Sequence, residues 1–449
     1  MARHVAFRWS LDPTVEQQVA LARHVGAARF AFNTCLELHL AARRRRHHAD
    51  GLGSVPWSGF SLINTFNRWK RSEAAGRRFV VDSRGGTQVE VTGLAWRGQV
   101  CSLVFEEAAV DLGRALKAWT ASRAGKRIGR RVGHPRFKKK NATSGSFRIR
   151  NQRSRTGRSS IRVGDSSPRS VSLPKLGTIR VREDTRRLRR MIAKQRARIL
   201  YATVSRGVRG RWWISVTVEA ADFHPETRHR PRTDDDDSGW VGVDRGLKDA
   251  VVAATSDGVV TLRVKPAKTL ANGLPRIRLL SRAVSRKKKG SSNQKKARTR
   301  LAREHQRIRN RRQYALHQVS NRLVNNHDRL VLEDLNIAGM IKNRRLSRAI
   351  SDAAWGELAR QVGYKQAWRG GQVAIANRWF PSSKTCSACH TVKQSLTLAE
   401  REFVCDACGH AIDRDLNAAV NLAAWAHNTG GGVRAAGDRQ TAGPVTNAH

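Results

Sequence analysis

The sequence has no long apolar run. Its first thirty residues, MARHVAFRWSLDPTVEQQVALARHVGAARF, hold no stretch of about 7–15 apolar residues of the kind that makes a secretion signal, and nowhere are there the roughly 18 that span a bilayer. Secretory and transmembrane classes are excluded on this reading, and no membrane partner is expected. Cysteine is sparse too: there are six, four in two close pairs, with Cys35 and Cys101 far away. That pattern points to a reducing compartment and a metal, not to a disulfide framework. Acid is what the chain lacks most. Against 86 Lys+Arg stand only 35 Asp+Glu, a formal charge of +51 and a pI near 11.7. Solubility needs far less, and the self-repulsion is costly unless a polyanion neutralises it, so nucleic acid is the expected partner.

What is present is globular. Apolar residues at 39% and twelve Trp can fill real cores, so the charge is not that of a disordered basic tail. At roughly 100–200 residues per domain, 449 residues predict two to four packed units. Val5 to Trp9 reads as a strand, followed by helices in which Val19, Leu21, Ala22, Val25, Phe30 and Phe32 share apolar spacing. A polar, Gly-rich stretch from Ser72 to Thr92 reads as an inserted loop or hairpin before Leu103, Val104, Ala108, Leu112 and Leu116 resume the helical period. Val171 to Val181, Tyr201 to Ser205 and Trp212 to Glu219 alternate as strands, predicting a small barrel or sheet with Val5 to Trp9. Phe223 to Gly239, with the acidic run Asp234 to Asp237, reads as a linker, and WVGVDRGLKDAVVAATSDGVV opens a second domain with a hairpin signal at Asp257-Gly258. Arg329 to Leu335 reads as a buried strand, Trp355 to Trp368 as an amphipathic helix, and the Gly-rich end from Asn428 as disordered.

Three basic stretches stand out as surfaces for phosphate. One is GHPRFKKK, with Arg136, Lys138, Lys139 and Lys140. Another is the helix expected within Arg182 to Arg198, with Arg186, Arg187, Arg189 and Arg190. The third is the long helical section from Ile277 to Gln318, where Lys287, Lys288, Lys289, Arg307 and Arg311 belong to a cationic series answered only by Glu304. Like charges at helical spacing destabilise an isolated helix, so such a helix is best stabilised by an anion lying along it.

Cys386 and Cys389 are two residues apart, as are Cys405 and Cys408, with fifteen residues between the pairs. This is a zinc-ribbon spacing: each tight turn aims two thiolates at one ion, and the intervening hairpin brings the pairs together. Four thiolates leave no open position for water, so the zinc is read as structural; His390 and His410 are bystanders.

Three acids stand where solubility does not explain them. Asp244 lies in the apolar strand VGVDRG, and Glu333 ends the strand LVLE. Asp415, two residues after Asp413, lies in AIDRDLNAAVNLAAWA, where it is read as able to cap the following helix. Singly, a cap or strand-end ion pair is the better explanation of each. Together they imply converging carboxylates, which repel unless divalent cations sit among them. Oxygen ligands suit Mg2+, and two such ions about 3.5–4 Å apart support phosphodiester hydrolysis. A basic chain with an acidic metal site reads as a nuclease.

These residues resemble the TnpB family, the transposon-associated RNA-guided nucleases, and the related small type V CRISPR effectors. The resemblance rests on VGVDRGLKDAVVAATSDG, on LVLEDLNIAGM and above all on RWFPSSKTCSACHTVKQSLTLAEREFVCDACGHAIDRDLNAAVNLA, with fainter similarity in GHPRFKKK, SLPKLGTIRV and VSRGVRGRWWISVTVE. It implies a multidomain α/β protein. An amino-terminal wedge β-barrel (1–12 and 134–222) would carry an inserted helical recognition lobe (13–133), followed by a linker (223–239). A RuvC-like nuclease domain of the ribonuclease H fold (240–380 and 411–427) would carry an inserted zinc ribbon (381–410), ahead of a disordered tail (428–449). By motif, Asp244, Glu333 and Asp415 become the first, second and third catalytic acids, with Asp415 preferred over Asp413 because it directly precedes the Leu-Asn-Ala-Ala helix start. The partners implied are a guide RNA and target double-stranded DNA next to a short flanking motif, the cofactors two Mg2+ and one structural Zn2+, the compartment the bacterial cytoplasm and nucleoid. Monomer and homodimer stay open, as does the guide's source. The rival readings are a guide-directed DNA-binding protein with little cleavage and a DNA transposase using an acidic triad.

Overall fold

A computed structural model describes residues 3–48, 54–81, 86–127, 130–140, 145–154, 157–207, 210–221, 225–231, 239–397 and 399–429. Of the tail expected from Asn428, Asn428 ends a helix and Thr429 caps it; the rest, like the acidic run Asp234 to Asp237, lies outside the described residues. The chain forms two compact units, the first ending at Ala221. Among the described residues no helix is long and apolar enough to cross a membrane.

The first unit contains β1 (Arg3–Asp12), α1 (Val15–His48), α2 (Gly59–Trp69), β2 (Arg77–Val81), β3 (Thr87–Val91) and α3 (Ser102–Arg123). It continues with β4 (Ser146–Arg150), β5 (Arg162–Val163), β6 (Ser170–Leu173), β7 (Gly177–Val181), α4 (Arg186–Ala193), β8 (Ala197–Arg206) and β9 (Trp212–Ala220). Seven strands form one sheet in the order β4-β8-β9-β1-β7-β6-β5. β1 lies antiparallel to β9 from Arg3 opposite Ala220 to Ser10 opposite Trp213, so the two ends of this unit's chain close on each other. Strict alternation along β9 buries Ile214, Val216 and Val218, and one continuous core joins that face to Leu21, Phe32 and Leu36 of α1 and to Phe105, Leu112 and Leu116 of α3. Glu107, 3% exposed on α3, pairs with Arg150 Nε of β4 at 2.7 Å.

Two local expectations change. Val171 to Val181 is a hairpin, not one strand: Pro174 lacks the N–H a ladder needs, and Lys175 turns the chain at φ 61°. The basic stretch after Arg182 is helical only over Arg186–Ala193, because Gln195 at φ 53° turns the chain into β8. The segment from Ser72 to Thr92 holds the hairpin β2–β3, whose described residues are all exposed; residues 82–85 are outside the description.

The second unit is built on β10 (Trp240–Asp244), β11 (Val251–Thr255), β12 (Val260–Val264), β13 (Arg329–Glu333) and β14 (Gln372–Ala376). Its helices are α5 (Thr269–Ser285), α6 (Ser292–Asn326), α7 (Ile337–Met340), α8 (Ser347–Ala353), α9 (Trp355–Arg369) and α10 (Arg414–Asn428), and β15 (Glu402–Val404) pairs with β16 (Ala411–Asp413). The five-stranded sheet runs β12-β11-β10-β13-β14, with β10, β13 and β14 parallel and β11 and β12 a hairpin antiparallel to them. Both faces are covered, which is why these strands read as apolar runs. Val241, Val243, Leu330 and Leu332 meet Leu316, Leu323, Leu358 and Val362 of α6 and α9; Trp240 and Val331 on the opposite face meet Leu422 and Ala426 of α10.

The expected long helix from Ile277 to Gln318 is two helices. Gly290 turns at φ 84°, and Ser291 caps α6 by accepting the Gln294 N–H at 3.1 Å. A methyl on Gly273 of α5 would fall 2.4 Å from Ile308 Cδ1 of α6, so the two lie side by side. Asp352 ties them down by accepting from Leu270 N at 2.9 Å and from Arg312 at 3.0 Å.

Candidate functional site

The carboxylates are positioned by sheet register. Val243 of β10 stands opposite Leu332 of the parallel β13, so Asp244 and Glu333 emerge together at the carboxyl ends of neighbouring strands. The two-residue alternation puts Asp244 on the face of Trp240 and Gly242, and Glu333 on the face of Val331. That is the α10 face. Gly242 permits the approach: a β-carbon there would lie 1.9 Å from the Ala419 carbonyl oxygen and 2.7 Å from Ala423 N. α10 therefore rests directly on β10 and carries Asp415 in its first turn toward Asp244. A β-carbon on Gly246 would stand 3.7 Å from both Asp244 Oδ2 and Asp415 Oδ2, so these oxygens are at most twice that distance apart.

The electrostatics are those of acids gathered at one point, where burial and neighbouring carboxylates outweigh Arg245, Lys248 and Arg401. Lost hydration, then Glu333 and Asp415, push the Asp244 carboxyl well above the usual range. Lost hydration, then Asp413 and Asp249, raise Asp415. Asp415 is not the helix cap expected as its ordinary explanation. Asp413 takes that role, accepting the Leu416 N–H at 3.1 Å, and Arg263 of β12 holds the same oxygen at 3.0 Å.

The four cysteines converge. Their sulfurs all lie within 4.8 Å of one another, Cys386 to Cys408 at 3.7 Å and Cys389 to Cys405 at 3.5 Å, with no disulfide formed. A tetrahedron with bonds near 2.3 Å has edges of about 3.8 Å, so the set fits zinc. Each pair sits on a matching turn: His390 N–H donates to Cys386 O and Gly409 N–H to Cys405 O, both at 3.0 Å, with φ 62° and 70° at the closing residues. Among the described residues this is the one group of three or more Cys, His, Asp or Glu gathered tightly enough for a metal without rearrangement.

Several residues joining these centres carried no sequence signal of their own. Ser382, 4% exposed, donates to Glu333 Oε1 at 2.5 Å. Asn421 of α10 donates to the carbonyls of Ser382 at 2.8 Å and Thr385 at 2.6 Å, and Asn417 accepts the Ser387 N–H at 3.1 Å. The first cysteine turn is thus fastened to the helix bearing Asp415, and the loop leading into it to Glu333. Arg245, 5% exposed, donates to the carbonyls of Glu333 and Trp355 and so straps the ends of β13 and β10 to the start of α9. The i, i+4 spacing of Asn417 and Asn421 within the otherwise apolar run from Leu416 to Ala426 is the one sequence pattern that marks such a partner face.

The cationic residues fall into two kinds. Arg136, Lys139 and Lys140, Arg186, Arg187 and Arg190 on α4, Lys287, Lys288 and Lys289 in the α5–α6 turn, and Arg307 and Arg311 on α6 are exposed. Lys138 is exposed as a residue, but its ammonium sits 3.8 Å from the centre of the Phe32 ring, and burial lowers its pKa; Arg189 is half-buried beside Gly164. Those two are at least partly committed to packing.

Family profiles match most of the chain: one described as "Cas12f1-like, TNB domain" over residues 355–422, one as "Probable transposase" over 220–344 and one as "Helix-turn-helix domain" over 1–48. The last spans β1 and the single long helix α1 in this structure. The chain is 35% identical over 459 aligned residues to "Putative RNA-guided DNA endonuclease Rv2885c" of Mycobacterium tuberculosis, covering 97% of this chain and 91% of that protein. It is 28% identical over 445 residues to InsQ of Escherichia coli K12, a protein of the same description, covering 95% and 93%. Among solved structures, a Cas12f1 chain in a complex with sgRNA and target DNA aligns over 94% of this chain and 99% of its own with TM-score 0.49 and 11% identity.

Proposed function

Because the chain belongs to the TnpB family of RNA-guided nucleases, we propose that it is an RNA-guided DNA endonuclease that hydrolyses phosphodiester bonds of target DNA beside a short flanking motif. The observation that carries the reading is the meeting of Asp244, Glu333 and Asp415, drawn from positions 244, 333 and 415, at one end of one sheet in a chain of net charge +51. An acid-lined point on so cationic a protein repels the phosphate that the rest of the surface attracts, unless divalent cations intervene. Three oxygen-only side chains, two of them with raised affinity for a proton, are a donor set suited to a hard divalent cation. Two Mg2+ held there would supply Lewis-acid activation of water and stabilisation of the leaving oxygen.

The chain's own residues do the rest. Asp244 and Glu333 form a rigid floor because both end buried parallel strands, and Arg245 fixes the spacing between those strands. Asp415 closes the site from α10, whose start is held by Asp413 and Arg263. Cys386, Cys389, Cys405 and Cys408 would hold zinc as a structural clamp with no open position. On this reading the sheet order β12-β11-β10-β13-β14 with α10 is a RuvC-like ribonuclease H core over 240–380 and 411–427, with the ribbon inserted at 381–410. The seven-stranded sheet and its helices correspond to a wedge (1–12 and 134–222) and a recognition lobe (13–133), and the exposed arginines and lysines named above serve the guide RNA and its heteroduplex with DNA.

The test uses full-length protein purified with the RNA it carries from its own locus, challenged with a plasmid bearing the matching target. Cleavage should need Mg2+ and stop in EDTA, and Asp244→Ala should abolish cutting while guided binding persists. Full-rate cutting by that variant sinks the assignment. Joined DNA ends without bound RNA would instead favour transposition.

A further inference from the structure

One aromatic side chain beside the carboxylates is unexplained by packing. Trp379 is 85% exposed, whereas the next most exposed tryptophan among the described residues, Trp57, is at 36%. An indole is among the costliest side chains to leave in water, and a folded chain with twelve tryptophans buries or half-buries the others that are described.

Its loop is not loose. The loop leaves β14 at Ala376, which stands opposite Glu333 in the sheet, and returns at Ser382, whose hydroxyl donates to Glu333 Oε1. Between them Asn377 Oδ1 accepts the Trp379 N–H at 3.0 Å, Phe380 N–H donates to Asn377 O at 3.0 Å, and Ser382 N–H donates to Phe380 O at 2.9 Å. The flanking side chains are both held by partners. Arg378 pairs with Asp334 at 2.7 Å, and the Phe380 ring packs against Trp425 of α10 with centroids 6.3 Å apart. The loop is thus pinned on both sides of Trp379 while the indole between them stands in solvent. Only Phe380 and Pro381 lie between it and Ser382, so its α-carbon is no more than about 11 Å from a residue that touches Glu333.

We propose that Trp379 is a stacking platform for an unpaired base of the nucleic-acid strand delivered to Asp244, Glu333 and Asp415. The proposal rests on the nuclease reading above for the identity of that strand. A flat, rigidly mounted, solvent-facing ring offers its face to any base, and such stacking tolerates every sequence, as a site with programmable targets requires. It suits a single strand and not a duplex, since a paired base has both faces occupied by its neighbours. The cationic surface supplies backbone attraction without fixing position; the indole would fix the register of one nucleotide relative to the carboxylates.

The experiment places 2-aminopurine, whose fluorescence is quenched by stacking, at successive positions of a single-stranded target bound by the full-length, guide-loaded Asp244→Ala protein, which holds the strand without consuming it. One position should be quenched, the quench should vanish in Asp244→Ala/Trp379→Ala and persist in Asp244→Ala/Trp379→Phe. In the otherwise wild-type protein, Trp379→Ala should raise KM for single-stranded substrate about tenfold or more with little change in kcat, and Trp379→Phe should restore most of it. An unchanged quench and KM in the Ala variant overturn the proposal, as does a fall in kcat alone, which would mean that Trp379 only braces the loop under Glu333. If the wild type cuts no DNA but the quench still depends on Trp379, the nuclease reading fails and the platform stands.

Discussion

Gly242→Ala adds one methyl group at the contact that brings Asp415 to Asp244. The added carbon would stand 1.9 Å from the Ala419 carbonyl oxygen, 2.7 Å from Ala423 N and 2.8 Å from Leu422 Cβ. Those atoms are helix backbone and the root of a side chain, so no rotamer change relieves them. Restoring an ordinary contact needs about 1.5 Å more separation between α10 and β10, and overpacking of this kind costs roughly 1–3 kcal/mol. In a unit of this size that lowers Tm by roughly 2–10 °C. The same displacement carries Asp415 away from Asp244 and Glu333, and a misplacement of about 1 Å can cost about a hundredfold in rate. Differential scanning calorimetry and plasmid cleavage measure the two effects. Gly98→Ala, where an added carbon meets nothing within 4 Å, is the control and should change neither. If Gly242→Ala melts and cuts like the parent, α10 does not seat Asp415 in the way described.

Two further outcomes follow from the two metal centres. Cys405→Ser should lose the ribbon's zinc, read by metal analysis, and with it cleavage, because Asn417, Asn421 and Ser382 fasten the ribbon to the acids; a zinc-free variant that still cuts at the parental rate breaks that link. Asp244→Asn should stabilise the zinc-loaded protein in the absence of Mg2+ at pH 7–8 by about 0.5–2 kcal/mol. The sign follows from the raised pKa: above the unfolded value near 3.8 the unfolded chain ionises while the folded state resists, a cost that grows until the pH passes the folded pKa and disappears once acid protonates both states. Mg2+ should raise the Tm of the parent and not of the variant, measured by thermal scans across pH; equal stabilisation of both by Mg2+ removes Asp244 from the ligand set.

The acids and cysteines were legible because their chemistry forbids casual placement: a carboxylate in an apolar strand and four thiols at ribbon spacing each need an explanation. Family membership was legible for the same reason, since the block from Arg378 to Ala423 fuses both. What stayed hidden depends on approach distance and direction. Gly242 looks like any strand glycine until a helix backbone is found against it. Ser382 and Asn421 look like loop and helix polar residues until their partners come from elsewhere in the chain. Asp413 and Asp415 are both acids near a helix start, and only the geometry separates the cap from the inward carboxylate. The hairpin within Val171 to Val181 and the break at Gly290 were missed because an apolar or cationic period can run through a turn without changing phase.

If the four cysteines hold zinc as proposed, their place between Glu333 and Asp415 has a physical reason in this fold. From Asn377 to Asp413 the chain leaves the sheet beside Glu333 and must deliver α10 onto β10 in one register, or Asp415 misses Asp244. A peptide that long has little apolar material of its own: the ribbon's core is Cys386, Phe403 and Cys405, backed by Leu396 and Ile412. Ordering each residue costs about 1–2 kcal/mol in backbone entropy, which so small a core cannot offset alone. Four thiolates on one ion would add a large favourable term to that core, since structural zinc contributes about 10–16 kcal/mol of binding energy to folding in small domains. The ribbon then passes its order on in two directions, through Ser382 to Glu333 and through Asn417, Asn421 and the Asp413 cap to the start of α10. On the proposed reading, zinc that touches no substrate would thereby set the spacing of the carboxylates, and the two sites would be coupled through α10.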